Sequence, residues 1–238
     1  MGNNFEIEMG NGIIVGTLFK AETSNTTKVL IFMEGSGGTR ERFNDYGEYF
    51  TQDGYSLVCF DYRGRGDSHI ENFATIGTQI EDIRAIVGYV ESQFPSKSVD
   101  ITIIATSMGA HVAAATCNFS PNIKHLVLVA PAVYPTNFES MDYTTISKKH
   151  FEDLGEEGLK SNLLSARSIQ EIRKFTGEVS VVFLGEDATI PPWMVQLYID
   201  NCVSASQVRE LTLEDAPHAV FRDEGWRDKA RDLLSKII

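Results

Sequence analysis

The stretch VDITIIATSMGAHVAAA, residues 99–115, changes its pattern abruptly in the middle. Its first half is typical of a short buried strand, with apolar residues at Val99, Ile101, Ile103 and Ile104. After Ser107 the residues become small and favour a helix that packs closely on a sheet. The pattern therefore predicts a strand, a sharp turn and a helix.

The predicted turn, residues 105–109, has the composition of a site for a nucleophile. A turn this tight strains its central residue and needs small residues two positions before and after it, which Ala105 and Gly109 provide. Ser107 is expected at the apex, with its hydroxyl near the positive end of the helix dipole. The backbone N–H of Met108 points into the same space and can stabilise an oxyanion. His111, one helical turn later, is interpreted as a packing or supporting residue.

This turn resembles the nucleophile elbow of the α/β-hydrolase family, which usually reads Gly-x-Ser-x-Gly. The sequence departs from that pattern at Ala105, whose extra methyl group is expected to open the turn slightly. The resemblance implies an α/β fold with a mostly parallel central sheet and helices on both faces. It covers residues 1–238 as a single domain, apart from an insertion over residues 131–177.

Composition excludes several classes of function. The formal net charge is −12, so nucleic acids and anionic membrane surfaces would be repelled. The three cysteines, Cys59, Cys117 and Cys202, have no CxxC spacing, so neither a disulfide framework nor a metal site is predicted. The first twelve residues lack the basic and apolar parts of a secretory signal, and a cytoplasmic location is the expectation. The sequence does not determine the oligomeric state.

A glycine-rich loop follows the next predicted buried strand, Val29–Met33, after an antiparallel strand pair within residues 5–19. The loop reads Glu34-Gly-Ser-Gly-Gly38 and lies where open α/β sheets place ligands. In the resembled family it begins His-Gly, and the residue after that glycine supplies the second oxyanion donor. The resemblance assigns this role to the N–H of Ser36.

Glu34 stands in place of the family's histidine. A carboxylate beside an oxyanion site opposes the developing charge unless it points away or is paired, and Arg40 or Arg63 is the candidate partner. An alternative hypothesis is that Glu34 receives a cationic part of the substrate. Arg63 belongs to the stretch DYRGRGDS, residues 61–68, which is similar to a D-x-R-G-x-G-x-S loop of the family and is expected to brace the elbow.

Residues 131–177 interrupt the alternation of strands and helices. In the resembled family an insertion at this point usually forms a cap over the active site, and its length suggests two or three short helices. Tyr134 and Phe138 are candidate substrate-binding residues within it. The alternative is a structural insertion without contact to substrate. The core would then comprise residues 1–130 and 178–238.

The resemblance also assigns the remaining catalytic residues. Asp187 follows the strand Val179–Leu184 in the family's Gly-x-x-Asp context and is preferred to its neighbour Glu186. His218 follows the last predicted strand, Val208–Leu213, and precedes the C-terminal helix. The order Ser107, Asp187, His218 is the one expected of this fold.

Together these residues predict a serine hydrolase that cleaves a carboxylic ester of small or medium size through an acyl-enzyme on Ser107. No metal or organic cofactor is implied. The same residues serve thioesterases, acyltransferases and serine aminopeptidases. A non-catalytic binding protein with this fold is a further alternative. Substrate specificity cannot be read from the sequence.

Overall fold

The computed structural model describes residues 2–21, 26–95, 98–146 and 156–238. Within those residues, nine strands form a single sheet. The strands are β1 (Asn3–Met9), β2 (Gly12–Phe19), β3 (Thr26–Met33), β4 (Tyr55–Asp61), β5 (His69–Ile70), β6 (Ser98–Thr106), β7 (Ile123–Val129), β8 (Glu178–Glu186) and β9 (Gln207–Pro217).

The sheet is antiparallel at one edge and parallel through the rest. Its order is β1-β2-β4-β3-β6-β7-β8-β9, with the short β5 paired to β2. Strands β1 and β2 form the predicted antiparallel pair, and β2 also runs antiparallel to β4. From β4 to β9 every pairing is parallel. The predicted mostly parallel α/β-hydrolase fold is confirmed, and the carboxyl ends of the parallel strands share one edge, where ligands bind in such sheets.

Helices cover both faces of this sheet. In the described residues they are α1 (Asn44–Gln52), α2 (Ile76–Gln93), α3 (Met108–Thr116), α4 (Glu156–Leu164), α5 (Arg167–Ile172), α6 (Pro192–Asn201) and α7 (Glu224–Ile237). Short 3-10 helices lie at Arg40–Phe43, Thr136–Phe138 and Tyr143–Thr145. None of the helices in the described ranges is long and apolar enough to cross a membrane.

Alternation along β3 divides the core into two layers. Val29 and Ile31 point to the face covered by α2 and α3, whereas Leu30 and Phe32 point to the face covered by α1 and α7. All four side chains are fully buried. A strand that is apolar on both sides is stable only between two helical layers, which explains why β3 reads as a continuous apolar run.

The predicted cap segment, residues 131–177, packs against the rest of the protein in two different places. Helix α5 packs against α3 and buries Ile169 and Ile172 in the core. The 3-10 helices at 136–138 and 143–145 lie nearer the start of α2, where the N–H of Gly77 donates to the carbonyl of Glu139 and the N–H of Tyr143 to that of Ala74. Residues 147–155 of the predicted cap lie outside the described residues. The cap assignment stays a prediction.

Candidate active site

Ser107 lies at the turn between β6 and α3 in a strained backbone conformation, with φ 54° and ψ −120°. Its N–H donates to the carbonyl of Val129 at 3.0 Å, which ties the turn to the end of the neighbouring strand β7. A non-glycine residue at positive φ persists only where its surroundings enforce it. Here the strand pairing on one side and the helix on the other hold the serine in place.

The glycine-rich loop after β3 packs directly against this turn. A Cβ on Gly109 would lie 2.5 Å from the carbonyl oxygen of Glu34, closer than any real Cβ contact. A Cβ on Gly35 would lie 3.0 Å from the Cβ of Ser107 and 3.6 Å from its hydroxyl oxygen. The two turns therefore touch through their backbones, and glycine at position 109 is required for that approach.

His218 and Asp187 extend from loops at the ends of β9 and β8. The Nε2 of His218 lies 3.1 Å from the Oγ of Ser107, and its Nδ1 lies 2.8 Å from Oδ2 of Asp187. Both distances are within hydrogen-bonding range. The structure thus brings together the three residues that the sequence assigns to catalysis, and Glu186 is an exposed neighbour.

Asp187 is oriented by its own loop. Its Oδ1 accepts hydrogen bonds from the N–H groups of Thr189 at 2.7 Å and Ile190 at 2.9 Å. Burial acts to raise the pKa of Asp187, but the hydrogen bonds from His218 and these two N–H groups outweigh it and the pKa is lowered. An ionised carboxylate at this position holds the imidazole with Nδ1 protonated and leaves Nε2 to accept a proton from the serine.

Glu34 is buried and is faced by arginines other than the two expected. Its Oε1 lies 3.8 Å from Arg42, and its Oε2 lies 3.8 Å from Arg222 and accepts from the N–H of Gly35 at 3.3 Å. Burial raises the pKa of Glu34, against the attraction of Arg222, Arg42 and the Gly35 N–H. The carboxylate therefore faces a cluster of positive charge.

The expected pairing of Glu34 with Arg40 or Arg63 is wrong because both arginines are neutralised elsewhere. Arg40 pairs with Asp61 and, at 2.7 Å, with Asp67. Arg63 is fully buried and pairs with Asp82 and Glu81 of α2. The loop at 61–68 is thus anchored to Arg40 through Asp61 and Asp67, and to α2 through Arg63.

A cleft of about 320 Å³ opens at the Ser107 hydroxyl. Two of the three candidate substrate-binding residues, Glu34 and Tyr134, line it, as does Ser36. Phe138 does not line it: its side chain is buried, because the 3-10 helix that carries it docks against the start of α2. The remaining wall includes apolar side chains, contributed by Ile146, Ile190, Ala219 and Phe221.

A family model described as "Serine aminopeptidase, S33" matches residues 24–175, which is more than half of the chain and includes Ser107. The chain belongs to this family. It is therefore a serine hydrolase of the α/β-hydrolase fold. Asp187 and His218 lie beyond the matched range, so their assignment depends on the geometry above.

Relatives of this S33 family member were found by sequence and by structure. The quorum-quenching protein AidA of Acinetobacter baumannii (strain MDR-ZJ06) is 33% identical over 105 residues, covering 42% of this chain and 34% of that protein. The match thus spans about a third of that relative's length. An esterase of Pyrococcus furiosus is 23% identical with a TM-score of 0.69, covering 99% of this chain and 92% of its own.

A thioesterase domain from the curacin biosynthetic pathway is 15% identical with a TM-score of 0.70 and covers 99% of both chains. At such identities the two structural neighbours establish the fold of this hydrolase and leave its substrate open.

His111 supports the site of this S33 hydrolase without contacting the cleft. It is fully buried, its Nδ1 accepts from the N–H of Tyr134 at 3.2 Å, and its ring meets that of Tyr134 edge to face. Burial and the nearby Arg167 lower the pKa of His111 to about 3. A neutral imidazole that accepts at Nδ1 carries its proton on Nε2. The side chain is thus a packing residue that fixes the start of the segment after β7.

Sequence reasoning missed several residues of the cleft. Arg222 lines it and lies four residues after His218, so the spacing to the assigned histidine could have indicated it. Phe221 lies beside Arg222 and shares that spacing, whereas Ile146 carries no motif and only the folded chain brings it to the serine. Among the described residues, no group of three or more His, Cys, Asp and Glu side chains is arranged to hold a metal ion.

Proposed function

We propose that this protein cleaves carboxylic esters of small or medium size through an acyl-enzyme on Ser107. The observation that carries the proposal is the continuous hydrogen-bonded chain from Ser107 through His218 to Asp187, in which Ser107 and His218 line a cleft. A cleft of about 320 Å³ is at the lower end of the range of small-molecule sites, which favours short acyl groups.

In the proposed mechanism His218 removes the proton from Ser107 as its oxygen attacks the ester carbonyl. The negative charge of the tetrahedral intermediate forms on the former carbonyl oxygen, and we assign its stabilisation to the backbone N–H groups of Ser36 and Met108. His218 then donates the proton to the leaving alcohol, and the carbon–oxygen bond to that alcohol breaks. Water, deprotonated by the same imidazole, then attacks the acyl carbon. The bond from that carbon to Ser107 Oγ breaks, His218 returns the proton to the serine oxygen, and the acid is released.

Cleavage of an ester is favoured over removal of an N-terminal residue by the environment of Glu34. An aminopeptidase needs a carboxylate in the cleft to receive the substrate's ammonium group. Among the described residues that line this cleft, Glu34 is the only one with a carboxylate. It is 4% exposed and faces Arg42 and Arg222. Two guanidinium groups at this distance repel a third cation.

The proposal extends to partners and location. The substrate is a small acyl compound, and the cytoplasmic location is supported by three free, buried cysteines, which suit a reducing compartment. The name of the AidA relative makes removal of a quorum-sensing signal a further activity to assay, although the match covers a third of that protein. Size-exclusion chromatography with light scattering would determine the oligomeric state.

The first experiment combines covalent labelling with a chain-length series. A fluorophosphonate probe is expected to give one adduct, on Ser107, in the intact-mass spectrum. Hydrolysis of p-nitrophenyl acetate and butyrate should exceed that of the octanoate, and Ser107→Ala should lower kcat by at least about a thousandfold. Ser92→Ala, at an exposed position of α2, is the matched control. Labelling at another residue, or turnover that survives in Ser107→Ala, would contradict the proposal.

Two neighbouring carboxylates allow a test of the assigned acid. Asp187→Asn is expected to lower kcat by about 100- to 10,000-fold because the imidazole loses its fixed tautomer. Glu186→Gln removes a carboxylate charge at the adjacent exposed position, and its kcat should stay within twofold of that of wild type. A reversal of these two results would move the role to Glu186. Parallel assays with butyryl thioesters would show whether thioesters are the better substrates.

A further inference from the structure

Two arginines converge on the glycine-rich loop at the rim of the cleft. Gly37 has φ +87°, and a Cβ placed on it would lie 3.6 Å from Nη1 of Arg65 and 3.7 Å from Nη2 of Arg222. Arg222 also donates to the carbonyl of Ser36 at 2.6 Å, and Arg65 reaches the Ser36 hydroxyl at 3.4 Å. The two guanidinium groups therefore flank the same exposed turn.

Positive charge at this turn exceeds the negative charge that faces it. Glu34 is shared between Arg222 and Arg42, each at 3.8 Å. Among the described residues no carboxylate lies within ion-pair distance of Arg65, whose Nε has no hydrogen-bond partner. Three arginines thus meet one carboxylate in a chain whose formal net charge is −12. A cationic cluster on so acidic a protein suits a ligand that carries the opposite charge.

The guanidinium groups are positioned rather than free to move. Arg65 stacks on the ring of Tyr143, with its central carbon 4.6 Å from the ring centroid. Arg222 is held by Ser36 and Glu34, and its side chain remains 35% exposed and lines the cleft. Fixed guanidinium groups lose little conformational entropy when they bind, and their planar donors match the oxygens of a carboxylate or phosphate.

The cluster is also close to the reacting atoms. Ser36 and Arg222 line the same cleft as Ser107. A Cβ placed on Gly35 would lie 3.6 Å from the hydroxyl oxygen of Ser107. Arg222 lies four residues after His218, in the same turn. A group bound at Arg222 would therefore share the cleft with a carbonyl held at Ser107.

We propose that Arg65 and Arg222 form an anion-binding subsite, so that the preferred substrates are esters that bear a carboxylate or phosphate near the scissile bond. This inference rests on the proposed ester hydrolase function and adds a substrate class to it. Glu34 then serves to hold Arg222 in place, in contrast to the hypothesis that it receives a cationic substrate.

Matched esters test the subsite. One pair carries the charge on the acyl side: p-nitrophenyl glutarate monoester against p-nitrophenyl butyrate. The other carries it on the leaving group: 4-acetoxybenzoate against its methyl ester. For at least one pair, the ratio of kcat/KM for the anionic ester to that for the neutral ester is expected to fall about 10- to 100-fold in Arg65→Gln and Arg222→Gln. The pair that responds shows on which side of the scissile bond the anion lies.

Arg42→Gln is the matched control. Arg42 lies at the same distance from Glu34 as Arg222 does, but it neither lines the cleft, as Arg222 does, nor is among the groups nearest to Gly37, as Arg65 and Arg222 are. Its removal should change the ratio by less than twofold, whereas Arg65→Lys should retain part of the preference. Equal ratios in wild type, Arg65→Gln and Arg222→Gln for both pairs would overturn the subsite while leaving neutral ester hydrolysis, and so the proposed function, intact.

A binding measurement keeps the inference testable without turnover. In the Ser107→Ala protein, glutarate is expected to raise the Tm, and neutral glutaramide is not. The rise should disappear when Arg65→Gln and Arg222→Gln are combined and should weaken at higher ionic strength. If no ester is hydrolysed and no probe reacts with Ser107, the proposed function fails. If glutarate does not raise the Tm of the Ser107→Ala protein, the proposed anion-binding subsite is ruled out.

Discussion

The two turns that meet at Ser107 are held by different kinds of force. The elbow, residues 105–109, is fixed by close packing: small residues, a strained serine and a backbone contact with the neighbouring loop. The glycine-rich loop, residues 34–38, is fixed by charge, through Glu34, Arg42 and Arg222. One turn depends on the absence of side-chain atoms, and the other depends on the attraction of one buried carboxylate to two arginines, of which Arg222 is far away in sequence.

This difference predicts different responses to mutation. A steric contact between backbones has nowhere to relax, so a single added methyl group should disturb both turns at once. The arginines of the charge cluster are each about a third exposed and can rearrange, so losing one charge should cost less. The elbow is therefore expected to be the more sensitive of the two.

The largest effect is expected for Gly109→Ala. The new Cβ would meet the carbonyl oxygen of Glu34 at 2.5 Å, and neither backbone can yield without moving the serine or the loop. We expect the free energy of unfolding to fall by about 1–3 kcal/mol. We also expect kcat/KM for p-nitrophenyl butyrate to fall by about 100-fold, since small displacements of a catalytic group are costly. Denaturant unfolding and steady-state kinetics measure the two effects.

Gly88→Ala is the control for the change of residue type. Gly88 lies in α2 with nothing within 4 Å of its notional Cβ, so alanine should stabilise the helix by about 0.5–1 kcal/mol and leave activity unchanged. A Gly109→Ala protein as stable and as active as wild type would show that the backbones of the two turns do not approach as closely as described.

The same contrast explains what the sequence could and could not predict. The strand, turn and helix around Ser107 depend on neighbours in the chain, and their order was predicted and is confirmed. The partners of Glu34 depend on tertiary structure: Arg222 is remote in sequence, and the two nearer arginines that were expected are neutralised by Asp61 and Asp82. Local sequence shows that a buried carboxylate needs a partner, but it does not show which cation the fold leaves available.

An intermediate effect is expected for Glu34→Gln. Glutamine keeps an acceptor for the N–H of Gly35 but removes the charge that holds Arg222. The loop that carries the proposed oxyanion donor Ser36 should then be less well fixed, and kcat/KM should fall about fivefold to tenfold. Glu41→Gln, at an exposed position of the same segment, is the control and should have no effect.

The pH dependence of stability gives Glu34 a second test with a defined sign. Burial raises the pKa of Glu34, so the folded protein binds this proton more tightly than the unfolded chain does. Its contribution to stability is full below the pKa of an exposed Glu and is lost as the pH rises through the raised pKa. The Tm of Glu34→Gln relative to that of wild type should therefore rise as the pH is raised from acid to neutral. Each kcal/mol of free energy of unfolding gained corresponds to about 2–4 °C in Tm. A gain towards acid pH would contradict this account.

The smallest effect is expected for Ala105→Gly, which restores the residue usual in the family. Ala105 is fully buried at the end of β6, opposite Met33 of β3 and Leu128 of β7. Its methyl group is already accommodated, and Ser107 adopts the strained conformation with alanine in place. Glycine should therefore cost about 0.5–1 kcal/mol of stability through the entropy of the unfolded chain, while kcat/KM stays within twofold. A clear rise in kcat/KM would show instead that the methyl group holds the elbow open, and steric fit rather than strand stability would then determine the residue at this position.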